Sequence, residues 1–223
     1  DPYQPIEREW KVTRSVLELL ARCRHPFTIV TKSSLVERDL DLIAPMAHAN
    51  MARVYVSITT LDKELARKLE PRAATPRRRL QTVATLAAAG VPVGVLVAPI
   101  IPQLNDRDLE SIIDAAARAG AQSAGWVMLR LPLEVAPLFR AWLDEHYPQR
   151  AAHIMSLVRQ IRGGRDYDSQ FTTRMRGAGT LAELIARRFR IARDRAGMGD
   201  HRSAPLDTSQ FVPPGADRQS DLF

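Results

Sequence analysis

Two residues of this sequence fall where a short β-branched run gives way to a polar turn, and both could hold a ligand. Lys32 follows Phe27-Thr28-Ile29-Val30-Thr31, and Ser57 lies inside Arg53-Val54-Tyr55-Val56-Ser57-Ile58. A lysine ammonium at a strand end suits a carboxylate or a phosphate; the plainer alternative is an exposed lysine paired with Asp62 or another acid. Ser57 interrupts an apolar run, so its hydroxyl needs a partner, either a ligand or a neighbouring carbonyl. Downstream, Glu70-Pro71-Arg72 precedes Arg77-Arg78-Arg79 at a helix start. Three arginines in a first turn oppose the helix dipole and hint at a nearby anion, although a solvated basic face has the same pattern. His25, His48, His146, His153 and His201 have no metal-ligand spacing, and neither a phosphate-binding loop nor a dinucleotide fingerprint occurs. Taken alone, these residues describe a ligand-binding α/β domain.

The elements that must position them follow from periodicity. Four runs read as buried strands: the two above, Val93-Gly94-Val95-Leu96-Val97-Ala98, and Ala124-Gly125-Trp126-Val127-Met128-Leu129. Helical patterns lie between them, with Ser34 and Glu37 read as a capping box, Thr75 before Pro76, Asn105 with Asp108, and terminating glycines at Gly90 and Gly120. Strands alternating with helices at this spacing predict right-handed parallel crossovers. Ligands in such folds gather at the strands' C-terminal ends, where loops and helix N-termini converge.

A helix over about 7–23 precedes the first strand, so that helix's own strand is expected upstream of Asp1. Helices near 134–146 and 150–161 lead to Arg162-Gly163-Gly164-Arg165, read as a linker in preference to an anion-binding nest. Thr180 and Glu183 are read as the cap of a basic amphipathic helix reaching about Ala196, and the Pro-, Ser- and Gly-rich stretch from Asp200 as a disordered tail. The expected division is residues 1–162 as the α/β body, 163–199 as a basic helical extension, and 200–223 as the tail.

Composition narrows the class further. The net charge of +7 is densest over residues 163–202, with 9 Lys and Arg against 5 Asp and Glu, which favours polyanionic partners through counterion release. A single cysteine, Cys23, excludes an internal disulfide and any local thiol cluster, and it fits a reducing, cytoplasmic setting. No apolar run approaches the roughly 20 residues that span a bilayer, so no membrane association is expected.

Taken in order, Asp1-Pro2-Tyr3-Gln4-Pro5-Ile6-Glu7, Thr31-Lys32-Ser33, Ser57-Ile58-Thr59-Thr60, Glu70-Pro71-Arg72, and Pro99-Ile100-Ile101-Pro102 through Asn105-Asp106 resemble successive motifs of the radical SAM superfamily. The first string is similar to a segment of its spore photoproduct lyase-like branch. The resemblance implies a partial parallel (β/α) barrel, of which the four strands would be the third to sixth. It implies reductive cleavage of S-adenosylmethionine (SAM) and hydrogen abstraction from a substrate, a DNA lesion in the lyase branch itself. It places Lys32 and Ser57 against the methionyl and ribose portions of SAM, Pro102 and Asn105 beside the adenine, and Tyr3, Gln4 and Glu7 at the barrel mouth. The family's Cys-x-x-x-Cys-x-x-Cys loop, which binds a [4Fe-4S] cluster, has no counterpart here, so this chain alone is expected to be inactive.

The sequence ends Gln219-Ser220-Asp221-Leu222-Phe223, which resembles the peptide by which bacterial proteins bind the replication sliding clamp. Leu222 and Phe223 would fill an apolar groove while Gln219 and Asp221 make polar contacts. The alternative to an enzyme is therefore a non-catalytic DNA-associated module recruited to that clamp.

Overall fold

The four β-branched runs form the four strands of one parallel sheet in the computed structural model, which describes residues 1–198 and 205–214. They are β1 (Phe27–Thr31), β2 (Ala52–Ser57), β3 (Val93–Ile100) and β4 (Ser123–Met128), hydrogen-bonded in that spatial order. Phe27 lies opposite Ala52, Val54 opposite Val93, and Gly94 opposite Ser123. The sheet is open, as expected for part of a barrel. Gly94 has a packing reason: a Cβ there would stand 2.4 Å from the Tyr55 ring, which lies across the neighbouring strand.

The crossovers carry α3 (Leu40–His48) between β1 and β2, α4 (Lys63–Leu69) and α5 (Pro76–Ala88) between β2 and β3, and α6 (Leu109–Arg118) between β3 and β4. Thr75 caps α5 by accepting a hydrogen bond from the Arg78 amide, and Gly90, at φ 74°, lets the chain turn out of that helix. Beyond β4 come α7 (Val135–His146), α8 (Pro148–Gln160) and α9 (Thr180–Arg195). Ile185, Phe189 and Ala192 of α9, the helix of the expected basic extension, enter the same apolar core as Val95, Ile113 and Trp126. A smaller cluster joins α7 and α8 through Phe139, Leu143, Ile154 and Val158 to Ile101 and Leu131.

Local expectations differ at several points. The helix over 7–23 is two: α1 (Glu7–Trp10) and α2 (Val12–Arg22), broken at Lys11 with φ 51°. The buried Glu7 carboxylate accepts the Thr13 amide at 3.1 Å and the Arg14 amide at 3.4 Å, capping α2 from outside. Ser33, one residue before the expected cap, accepts from the Leu35 amide and starts a 3-10 turn over Ser34–Asp39, while Glu37 pairs with Arg78. Gly179, not Thr180, precedes α9. Residues 205–214, expected within a disordered tail, lie against the body: Asp207 donates its amide to the Asn50 carbonyl, Val212 to that of Cys23, and Phe211 meets the His25 ring edge-on. No helix among the described residues is long and apolar enough to cross a membrane.

The N-terminal segment is fastened by charge. Asp39, fully buried, accepts from Tyr3 Oη at 3.0 Å, Arg14 at 3.1 Å and Arg38 at 2.8 Å, and Arg38 also reaches Glu7. Burial raises the Asp39 carboxyl, but the hydrogen bonds from Arg38, Arg14 and Tyr3 outweigh it and hold the group below its ordinary 3.8. A depressed pKa stabilises the fold above the ordinary carboxylate value and loses that stabilisation as pH falls through the folded-state value. Urea midpoints should therefore drop below about pH 4, and less so in Asp39→Ala. At pH 7 that substitution should cost on the order of 2 kcal/mol, under the roughly 3–5 of a fully stranded buried charge, because Arg14 keeps Asp41 and Arg38 keeps Glu7.

Candidate functional site

The C-terminal ends of the four strands open onto one cleft of about 1360 Å³, whose lining includes Tyr3, Gln4, Lys32, Ser57, Glu70, Arg72, Leu96, Val127 and Arg130. Lys32 follows β1, and its ammonium lies 2.5 Å from Glu70 Oε1, so the pairing acid is Glu70 instead of Asp62. Asp62 is spent capping α4 through the Glu64 and Leu65 amides. Glu70 is the hub of the site. Oε1 also accepts from the Thr59 hydroxyl at 2.7 Å, and Oε2 accepts from Arg79 at 2.6 Å. Arg79 is only 2% exposed and donates as well to the carbonyls of Ser57, at 2.9 Å, and Ala74, at 2.8 Å. Burial raises the Glu70 carboxyl, yet the charges of Arg79 and Lys32 more than offset that and keep it ionised, its pKa lowered. The arginine-rich start of α5 thus finds its anions inside the protein, Arg78 on Glu37 and Arg79 on Glu70.

Ser57 donates its hydroxyl to the Ala98 carbonyl at 3.1 Å, and the Thr59 oxygen, whose proton goes to Glu70, lies 3.0 Å from the same carbonyl. A serine oxygen so engaged still has lone pairs with which to accept from a ligand. Tyr3 lines the cleft with its hydroxyl committed to Asp39; burial and the adjacent Asp39 charge push that phenol above its usual range. Gln4 lies beside it. Asp1 fixes this corner, accepting from the Thr31 hydroxyl at 2.8 Å and the Lys32 amide at 2.6 Å. Lys32, Ser57, Tyr3 and Gln4 are therefore brought together. Glu7 is not on the lining, and neither are Pro102 and Asn105. Asn105 is 2% exposed and satisfied on both sides of its amide, accepting from the Ile101 amide and donating to the Thr59 and Pro99 carbonyls.

Sequence reasoning passed over Glu70 and Arg130 as site residues. Glu70 was visible in the Glu-Pro-Arg string, and Arg130 as the cation just past a strand end. Arg130 donates to the Tyr167 hydroxyl at 3.2 Å, while its buried Nε has no acceptor among the described residues. The Arg162–Arg165 turn is no anion nest, since the Gly164 and Arg165 amides already bond to Arg159 and Arg162 carbonyls. Gln219, Asp221, Leu222 and Phe223, named as a clamp-binding motif, lie outside the described residues.

A parallel α/β sheet that collects a lysine, hydroxyls and a carboxylate at its strand ends is a ligand-binding partial barrel. The chain belongs to the radical SAM superfamily, whose model matches residues 5–116, half of its length. It is 33% identical over 216 residues to an uncharacterized protein of Mycobacterium tuberculosis (strain ATCC 25618 / H37Rv), covering 96% of this chain and 60% of that protein. It is 30% identical over 149 residues to an uncharacterized protein of Methanocaldococcus jannaschii, covering 67% and 54% respectively. Among solved structures, spore photoproduct lyase complexed with dinucleoside spore photoproduct aligns with a TM-score of 0.56 at 18% identity, over 87% of this chain and 56% of that one. A double mutant of that lyase with bound AdoMet and the same dinucleoside gives 0.55. The chain thus spans about 60% of the length of its mycobacterial relative.

The family implies SAM and a [4Fe-4S] cluster. The cleft fits SAM: Lys32 can answer a carboxylate, the Ser57 oxygen a ribose hydroxyl, and Val30, Leu96 and Val127 offer apolar contact. The described residues do not fit the cluster, having no group of three or more His, Cys, Asp or Glu that could hold a metal, and Cys23 is buried just past α2.

Glu70 and Lys32 should respond differently to truncation. Glu70→Ala strands the buried Arg79 guanidinium and should cost about 3–5 kcal/mol in urea unfolding. Lys32→Ala removes an ammonium that is one-third exposed and should cost under about 1 kcal/mol. Equal losses would show that Lys32 is a structural ion pair and nothing more.

Proposed function

We propose that this chain is the SAM-binding portion of a radical SAM enzyme that abstracts hydrogen from a nucleic-acid substrate, in the manner of a lesion lyase. The observation that carries the reading is the meeting of Lys32 and Ser57, from adjacent strand ends, on one cleft together with Glu70. Lys32 would hold the methionyl carboxylate, oriented by Glu70, which is itself locked by Arg79. Glu70 would also offer its oxygens to the methionyl ammonium. Ser57 would accept from the ribose. SAM together with a reduced cluster, which would give the electron that cleaves it, would supply the capacity to take a hydrogen atom from a substrate seated beside them.

Tyr3 and Gln4, also on the cleft lining, would orient that substrate at the mouth. Pro102 and Asn105 would act on the adenine end indirectly: Asn105 fixes the turn after β3 by binding three backbone groups. Glu7 would serve by holding the N-terminal segment in place. The cluster's ligands would come from outside the described residues. The lone buried thiol suits work in the cytoplasm. A nucleic-acid substrate is supported by the excess of basic residues and by the dinucleoside held in the lyase neighbour.

The reading is tested by calorimetric titration with S-adenosylhomocysteine. Lys32→Ala should weaken binding about 10-fold or more, as loss of a hydrogen bond to a charged group does, and Ser57→Ala about 2- to 10-fold. Two variants that bind as tightly as the wild type, with unchanged circular dichroism, would remove this cleft as the SAM site.

A further inference from the structure

Residues 165–176 form an irregular strap between α8 and α9, and they carry an alternation of aromatic and basic side chains: Arg165, Tyr167, Phe171, Arg174 and Arg176. The strap is held in place from beneath. Arg162, 3% exposed, donates to the carbonyls of Thr173 at 3.0 Å, Arg174 at 2.9 Å and Leu129 at 2.6 Å, while the charge of Asp168 in the strap also acts on it. The Met128 amide, just at the end of β4, donates to the Met175 carbonyl at 2.9 Å. Burying a guanidinium whose direct acceptors are carbonyls is costly, and here it fixes the strap directly against the end of the sheet where the cleft opens. Met175 and Arg130 are themselves part of the cleft lining.

The side chains so positioned are arranged for a planar, anionic partner. Phe171 is 81% exposed, and the Arg174 guanidinium lies 4.7 Å from its ring centre. Arg130 lies 5.9 Å from the Tyr167 ring and hydrogen-bonds its hydroxyl. The Nε atoms of both Arg130 and Arg174 are buried, so a phosphate would meet their terminal guanidinium nitrogens. An exposed aromatic flanked by cations combines a stacking surface with phosphate donors, the two elements by which single-stranded nucleic acid is held without sequence preference. An acidic peptide would use the cations but gain little from the ring.

We propose that this strap and Arg130 bind a single-stranded or extruded segment of nucleic acid at the β4 side of the cleft, a base on Phe171 and phosphates on Arg174 and Arg130. The proposal rests on the reading of the cleft as one that acts on nucleic acid, and it assigns the contact that would bring the backbone there.

The test is fluorescence anisotropy of a labelled 20-nucleotide oligo-dT titrated with this chain at several salt concentrations. Phe171→Ala should lose about 5-fold or more in affinity, the low end for one base–aromatic stack, and Phe171→Trp should restore it. Arg174→Gln should weaken binding and flatten the slope of log K against log salt by about 0.7, one single-strand phosphate contact. Neither side chain belongs to an apolar core, so thermal melting should be unchanged. Tight wild-type binding with both variants unaffected would overturn the strap while leaving a nucleic-acid substrate intact. Absence of wild-type binding would overturn both. Equal competition by polyglutamate with Phe171→Ala neutral would make the strap a cationic surface for acidic peptides and overturn the proposal.

Discussion

The Glu70 carboxylate is the point on which the site depends. One oxygen faces the buried Arg79, the other faces Lys32 at the cleft, and Arg79 in turn grips the carbonyl of Ser57 at the end of β2. Two strand ends and the start of α5 are thereby referred to one anion. Such an arrangement is expensive to desolvate, and it is tolerable because each oxygen of Glu70 and every guanidinium nitrogen of Arg79 has a partner. Its effect is geometric: the acid that the lysine faces is held in one place.

A second constraint acts on the other side of the cleft. The N-terminal segment is carried to the end of β1 by Asp1 and is clamped below by the Tyr3, Arg14, Arg38 and Asp39 network. The two networks meet at Lys32, whose amide donates to Asp1 and whose ammonium pairs with Glu70. The cleft between them is consequently edged by fixed charge while Val30, Leu96 and Val127 contribute its apolar lining. A charged cofactor with an aromatic base suits that division.

Much of this was legible in the sequence because it is written in periodicity. The four strands, the Thr75 cap and the turn at Gly90 each depend on residues adjacent in the chain. That Ser57 needs a partner followed from the rule that a buried hydroxyl must be satisfied, and of the two kinds allowed, ligand or carbonyl, the fold supplies the Ala98 carbonyl. What was hidden depends on partners far away in sequence. The break at Lys11 needs the Glu7 carboxylate turned back on α2, and Asn105 reads as a helix cap until the Thr59 carbonyl is seen to claim it. Arg162 beside two glycines looks like a linker, and only the fold reveals three carbonyls converging on its guanidinium. Residues 205–214 lack a core of their own and borrow the surface around Cys23 and Asn50.

The hydrogen bond from Met128 to Met175 has a consequence for association. β4 is an outer strand of the sheet, and an unpaired outer strand is a template on which foreign chains can zip. The strap lays a non-strand backbone against the end of that margin and studs it with arginines, which repel a second copy of the same surface. The Met128 amide is thereby withdrawn from pairing with a foreign strand, whatever the cleft contains.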